Sequence, residues 1–215
     1  MIIKEYYGEL QVITGISFSY AENSMNTRGL GLMGLDYVYD MTDFNMPICN
    51  KNSADGKVLA RVHNFLKVIK DAEILVFAIP EATAHYSAGF KNAMDWIICA
   101  TNFNADLGQD GPFSNKPIYV ITFTPVTKNA GYRHFDMTRH LIEKMGGIVY
   151  DTFCLNNGWK ECVPGNYEWV KDVCIEIFDH NNYWLNEPKE RKPDMKDRPQ
   201  KWVEQYKEWD KKWEK

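Results

Sequence analysis

Three short stretches carry the residue types that could do chemistry. The first is GISFSYAENSMNT, residues 15–27. Here Ser17, Ser19, Ser24 and Thr27 offer hydroxyls, Asn26 offers an amide, and Met25 stands among them. A segment with helical potential begins at Met25. The N–H groups at a helix start, together with the helix dipole, favour an anion. A monoester phosphate suits such a place because it accepts several hydrogen bonds at once. The same residues can also be read as a plain polar loop with Ser24 as the N-cap. The second stretch is VFAIPEATAHYSAGFKNAMDWI, residues 76–97. It places Pro80, Glu81, Ala82 and Thr83 directly after an apolar run. The third is TPVTKNAG, residues 124–131, where Thr124, Pro125, Val126 and Thr127 follow another apolar run.

The elements that must position these stretches are strands and helices in alternation. Leu10 to Thr14 reads as a first strand that stops at Gly15, and Leu35 to Tyr39 as a second. The segment DMTDFNMPICN then reads as a loop. Ala54 to Lys70 has apolar residues at helical spacing (Val58, Leu59, Val62, Phe65, Leu66 and Ile69). Ala72–Ile79 and Pro117–Thr124 are nearly continuous apolar runs, the mark of strands buried on both faces of a parallel sheet. Helices are expected over Ser87–Ala100, Tyr132–Met145 and Tyr167–Trp184, and a fifth strand over Ile148–Leu155. Strand–helix alternation implies right-handed crossovers and a sheet covered on both sides. Five such strands fit the doubly wound order 2-1-3-4-5, in which ligands bind beyond the carboxyl ends of the strands. The three stretches above follow strands one, three and four and therefore share that edge.

Composition narrows the chemistry. The chain has 215 residues, 45% of them hydrophobic, with a net charge of −4. That balance argues against a nucleic-acid partner. No apolar run approaches the ~20 residues of a membrane helix, and no signal core opens the chain, so a cytoplasmic protein is expected. The five cysteines (49, 99, 154, 162 and 174) form no C-x-x-C pair, which disfavours zinc and iron–sulfur sites. His134 and His140 are spaced wrongly for a one-face metal pair. The glycine fingerprint of dinucleotide folds, the P-loop lysine and the nucleophile elbow are all missing. No metal ligand set is expected.

The second stretch resembles the NADPH-dependent FMN reductase family, which includes quinone, chromate and azo reductases. That family carries P-E-Y-N-x-S-x-P-G-x-L-K-N-A-I-D-W. Pro80, Glu81, Lys91, Asn92, Ala93, Asp95 and Trp96 match without a gap. Ala82 and Thr83 depart from its Tyr and Asn, and His85, Ser87 and Ala88 from its Ser, Pro and Gly. DFNMPICNKN also looks like the family's loop after strand two. The resemblance spans roughly residues 10–180. It implies a flavodoxin-like three-layer α/β sandwich that binds FMN and takes electrons from NADPH or NADH. The acceptor would be a small molecule: a quinone, a flavin, a nitro or azo compound, or a metal oxyanion. It also implies a homodimer or homotetramer. By this resemblance Pro80, Glu81, Ala82 and Thr83 lie beside the flavin ring, Thr124 to Thr127 wrap its far edge, and the serine loop takes the phosphate. No catalytic side chain is singled out, because the cofactor carries the chemistry. The altered positions 82 and 83 motivate a second reading, an electron carrier or binding protein without its own NAD(P)H turnover, possible even without FMN.

The chain divides at about residue 185. Residues 1–185 form the expected flavodoxin-like domain. Residues 186–215 read as a charged linker with three prolines, then a C-terminal helix with an aromatic stripe at Trp202, Tyr206, Trp209 and Trp213.

Overall fold

The computed structural model describes residues 12–50, 56–103, 112–114, 116–128 and 130–186. Leu10, Gln11 and the aromatic stripe of the tail lie outside them. The chain divides into two compact units, 1–181 and 182–215.

The first unit is built on a five-stranded parallel sheet. Its strands are β1 (Ile13–Ser17), β2 (Tyr37–Asp40), β3 (Ile74–Ala78), β6 (Pro117–Phe123) and β7 (Ile148–Leu155), in the order β2-β1-β3-β6-β7. This is the 2-1-3-4-5 arrangement expected of the alternation. Successive side chains of β3 explain its unbroken apolar run. Leu75 and Phe77 join a cluster with Phe65, Phe90 and Trp96. Ile74, Val76 and Ala78 join another with Leu30, Val173 and Ile177. Both faces are buried, so both sets must be apolar.

Helices α1 (Met25–Leu32) and α7 (Lys171–Asn186) cover one face. Helices α3 (Gly56–Asp71), α4 (Ala88–Phe103) and α5 (Phe135–Lys144) cover the other. Short helices α2 (Met41–Phe44) and α6 (Gly158–Glu161) follow β2 and β7, and a 3-10 turn at Tyr167–Trp169 precedes α7.

Three local differences from the sequence expectation bear on the site. β1 runs to Ser17, three residues past the expected stop at Thr14. Gly15 is a strand residue because β2 and β3 pair with it on both sides, and its lack of a side chain makes room for Leu30 and Leu35, with Leu35 Cδ1 2.7 Å from where a Cβ would stand. The segment after β2 begins with a helical turn instead of a loop. Asp40 caps it by accepting from Thr42 N, and Asp43 accepts from Asp40 N at 2.8 Å, a capping box. Finally, residues 81–86 are a hairpin, β4 (Glu81–Ala82) paired antiparallel with β5 (His85–Tyr86).

Gly29 tests how tightly α1 sits on the sheet. A Cβ there would stand 2.5 Å from the ring of Phe123, which is buried. Helix propensity alone would reward Gly29→Ala by up to about 1 kcal/mol. Overpacking against a buried ring costs about 1–3 kcal/mol. The variant is expected to be less stable than wild type in urea denaturation, and a gain in stability would show that α1 is not seated as described.

Candidate functional site

β1, β3 and β6 are neighbours, so the segments after their carboxyl ends lie side by side. Each begins with a residue anchored in the core or in the ladder. Phe18, directly after β1, is fully buried and meets Phe77 and Phe90 edge to face at 5.0 Å. Its N–H donates to Ala78 O at 2.8 Å. The first loop therefore leaves the sheet in a set direction.

That loop brings three of the hydroxyls together. Ser24 caps α1, accepting from Thr27 N at 3.1 Å. Its Oγ lies 2.8 Å from Thr27 Oγ1 and 3.5 Å from Ser17 Oγ. The remaining first-turn N–H groups of α1 have no intrahelical acceptor, as at any helix start. Hydroxyl donors beside free amides at the positive end of a helix suit a phosphate. Ser19 Oγ accepts from Ala21 N at 3.2 Å, which leaves its own proton to donate. Asp40 Oδ2 is 3.5 Å from Thr27 Oγ1, so one carboxylate borders the cluster. Met25 packs beneath it: a Cβ on Gly158 would stand 2.0 Å from Met25 Sδ. Asn26 behaves differently. Its side chain is buried and spans to β6, accepting from Phe123 N at 3.1 Å and donating to Phe123 O at 3.4 Å. The amide thus joins the first loop to the third.

The hairpin 81–86 forms the second wall. Its turn residues Thr83 and Ala84 have φ of 50° and 61°. Two successive positive φ values give the tight turn whose twist matches antiparallel strands. Thr at such a φ is strained, and strain of this kind gathers at ligand clamps. Ala82, Thr83 and His85 are exposed, and Pro80 is half-buried.

Glu81 points away from the turn. Its side chain is only 9% exposed. Oε2 accepts from Gly131 N at 2.8 Å and Arg133 N at 3.0 Å, and Oε1 accepts from Arg133 Nη1 at 2.7 Å. One carboxylate therefore clasps the hairpin to the end of the third loop. Ser87, at the other end of the hairpin, caps α4 and donates to Phe18 O at 2.8 Å. Gly89 permits that approach, since a Cβ there would stand 2.7 Å from Phe18 O.

In the third loop Thr124 is buried. Its N–H donates to Leu155 O at 2.9 Å, and its carbonyl accepts from Gly158 N at 2.9 Å. Pro125, Val126 and Thr127 are exposed, and Val126 O accepts from Asn157 N at 3.1 Å. Of the expected residues, then, Ser24 and Thr27 present clustered hydroxyls, and the Ser17 hydroxyl adjoins them from a fully buried position. Pro80, Ala82, Thr83 and Pro125–Thr127 present surface. The side chains of Asn26 and Glu81 and the backbone of Thr124 hold the loops together.

The motif on α4 has a structural account. Asn92 accepts from Cys49 N at 2.7 Å and donates to Pro47 O at 3.0 Å, while Trp96 Nε1 donates to Pro47 O at 2.6 Å. Lys91 and Asp95 pair along the helix. These residues secure the 46–49 strap against α4. Among the described residues no three His, Cys, Asp or Glu side chains gather as a metal site requires.

A buried histidine that the sequence did not mark supports the hairpin from behind. Thr122 Oγ1 donates to Ile79 O at 2.8 Å. Having spent its proton, it accepts from His134 Nε2 at 2.9 Å, which leaves Nδ1 to accept from Thr138 Oγ1 at 2.9 Å. Burial pushes the His134 pKa down to about 4. The unfolded chain protonates near the ordinary histidine value of about 6.5. Stability from this group is therefore full above that value and is lost as pH falls toward 4. Wild type should lose about 2 kcal/mol more than His134→Gln between pH 6.5 and 4.5 in urea titrations. Parallel pH profiles for the two proteins would contradict a neutral, buried His134.

The sequence model of the NADPH-dependent FMN reductase family matches residues 17–160. No curated protein matches the chain. Among solved structures, the chain is similar to FerB, a flavoenzyme NAD(P)H:(acceptor) oxidoreductase from Paracoccus denitrificans. The two share 14% identity and a TM-score of 0.58, over 82% of this chain and 97% of that one. It is similar also to the apo form of the NADH:FMN oxidoreductase EMOB. Here the identity is 17% and the TM-score 0.52, over 88% of this chain and all of that one. These likenesses show the shared fold. The family match takes in all three loops and the helices that follow them, and on it the chain belongs to the NADPH-dependent FMN reductase family, as an oxidoreductase that uses FMN and NAD(P)H.

Proposed function

We propose that this chain uses FMN, held by the three tied loops, to pass electrons from NAD(P)H to a small acceptor. The acceptor classes are a quinone, a flavin, a nitro or azo compound, or a metal oxyanion. The observation that carries this reading is the hydroxyl cluster at the start of α1, set beside a hairpin that is clasped to the third loop.

The residues fit the group. Ser17, Ser19, Ser24 and Thr27, with the amides of Met25 and Asn26, would hold the phosphate. The backbone and side chains of Pro80–Thr83 would flank the ring on one side and Pro125–Thr127 on the other, with Thr124 as the base of that wall. FMN held there would supply two-electron redox chemistry between the nicotinamide and the acceptor. The protein's part is to bind, to orient and to keep one face open. Thr83, Ala84 and Val126 are exposed and would border that face. No proton-transfer residue is assigned.

Solved relatives of this fold are described as acting on small acceptors, and the comparison with FerB supports that class here. We read the chain as a cytoplasmic homodimer or homotetramer without a nucleic-acid or membrane partner. No described helix is long and apolar enough to cross a membrane. We also read the unit as ending near residue 185, with the charged, aromatic-striped tail as a separate element.

The FMN-loaded protein should oxidise NADH or NADPH steadily when a soluble quinone is added, well above the rate with free FMN. Ser24→Ala should weaken FMN binding about tenfold, with a stability loss of about 1 kcal/mol from the missing cap. Turnover no faster than free FMN, from a protein shown to be folded, would leave the carrier reading in its place.

A further inference from the structure

Two cysteines meet outside the FMN loops. Cys49 lies on the strap after α2 and Cys99 on α4, and their Sγ atoms are 3.4 Å apart although the residues are 50 positions apart in the chain. Both are free and only partly buried. The strap backbone is already held against α4 through Asn92 and Trp96. The two sulfurs are thus kept in register by bonds that do not involve them.

The other three cysteines are occupied differently. Cys154 Sγ donates to Ala130 O at 3.1 Å, Cys162 Sγ to Met25 O at 3.8 Å and Cys174 Sγ to Met33 O at 3.7 Å. Each is a thiol turned onto a backbone carbonyl. Burial pushes the pKa of all three up, Cys174 to about 12. Structural thiols of this kind are inert.

We propose that Cys49 and Cys99 form an oxidisable dithiol, a modification site at which a hydroperoxide closes a reversible disulfide between the strap and α4. Covalent closure from 3.4 Å needs the sulfurs to approach by about 1.4 Å, within reach of side-chain rotation. One sulfur, as thiolate, attacks the O–O bond of the hydroperoxide and becomes a sulfenic acid, releasing an alcohol or water. The second thiol then displaces water from that sulfur. In balance, two thiols and one hydroperoxide ROOH give one disulfide, ROH and water. Burial and the neighbouring Cys99 thiol push the Cys49 pKa up to about 12. Either sulfur can be the one that meets the oxidant, and the other resolves it.

Closure would reach the first loop of the site. Tyr20, on that loop, donates to Met46 O at 3.0 Å and accepts from Asn92 at 3.3 Å. A disulfide between residues 49 and 99 would stiffen the strap and α4, which carry one of these contacts each.

The test uses the full chain, reduced and free of FMN, so it does not depend on the flavin reading. The protein is treated with a small excess of hydrogen peroxide, unfolded, alkylated and digested without reductant. The expected product joins the Cys49 and Cys99 peptides within one chain, is undone by dithiothreitol, and leaves Cys154, Cys162 and Cys174 alkylated. The melting midpoint of the oxidised wild type should rise by about 5 °C or more. Cys99→Ser should yield neither the joined peptide nor the shift. Full alkylation of Cys49 and Cys99 after the peroxide is consumed would overturn the proposal. So would joining of Cys49 to a different cysteine or to a second copy, or an unchanged midpoint in the joined protein.

Discussion

Three polar ties between neighbouring loops are what the rest of this site depends on. Ser87 to Phe18 O joins the second loop to the first. Glu81 to Gly131 and Arg133 joins the second to the third. Asn26 to Phe123 joins the first to the third. A parallel sheet brings its loops to one edge but does not hold them there, because loops carry few packing contacts of their own. The closed set of ties supplies that constraint. The Ser87 and Asn26 ties are buried, where a hydrogen bond left unmade costs about 1–3 kcal/mol, while the Glu81 tie reaches solvent on its Arg133 side. The loops are accordingly fixed relative to one another before any ligand arrives, which is the preorganisation a tightly held cofactor requires.

The electrostatics of the edge follow from the same arrangement. The start of α1 presents partial positive charge and hydroxyl donors, with the Arg28 side chain one residue past Thr27. Two carboxylates belong to this edge: Glu81 is consumed by three donors, and Asp40 borders the hydroxyl cluster with Oδ2 3.5 Å from Thr27 Oγ1. His134 stays neutral behind the hairpin, because burial opposes its protonation. What remains in front is a surface of hydroxyls, backbone amides and small apolar side chains. Such a surface can hold a phosphate and flank an aromatic ring while leaving redox chemistry to the cofactor.

Much of the fold was legible in the chain because it rests on local periodicity. The edge strand at 148–155 was read with both ends correct, and the apolar runs at 74–78 and 117–123 within two residues. The family motif at 80–96 falls on the hairpin and α4 and agrees with the family match over residues 17–160. Other features were hidden for identifiable reasons. Gly15 and Ser17 look like turn residues, yet they are strand because β2 and β3 pair with them on both sides, and the glycine at 15 makes room for Leu30 and Leu35. The hairpin 81–86 turns on Thr83 and Ala84, where local rules expect Asn or Gly. The Asp40–Asp43 capping box was a readable signal for α2. The Glu81–Arg133 clasp and the Asn26–Phe123 bridge join residues 52 and 97 positions apart, so no window of sequence contains them. Residues chosen for their chemistry, Asn26 and Glu81 among them, proved to position the site with their side chains.

The central claim is that these loops, tied as they are, form a standing FMN site. It is tested most directly by the visible absorbance spectrum of the purified chain after incubation with FMN and desalting. The account predicts retained flavin bands in a fixed ratio to protein, altered in shape from those of free FMN. A folded protein that leaves the column colourless would contradict it.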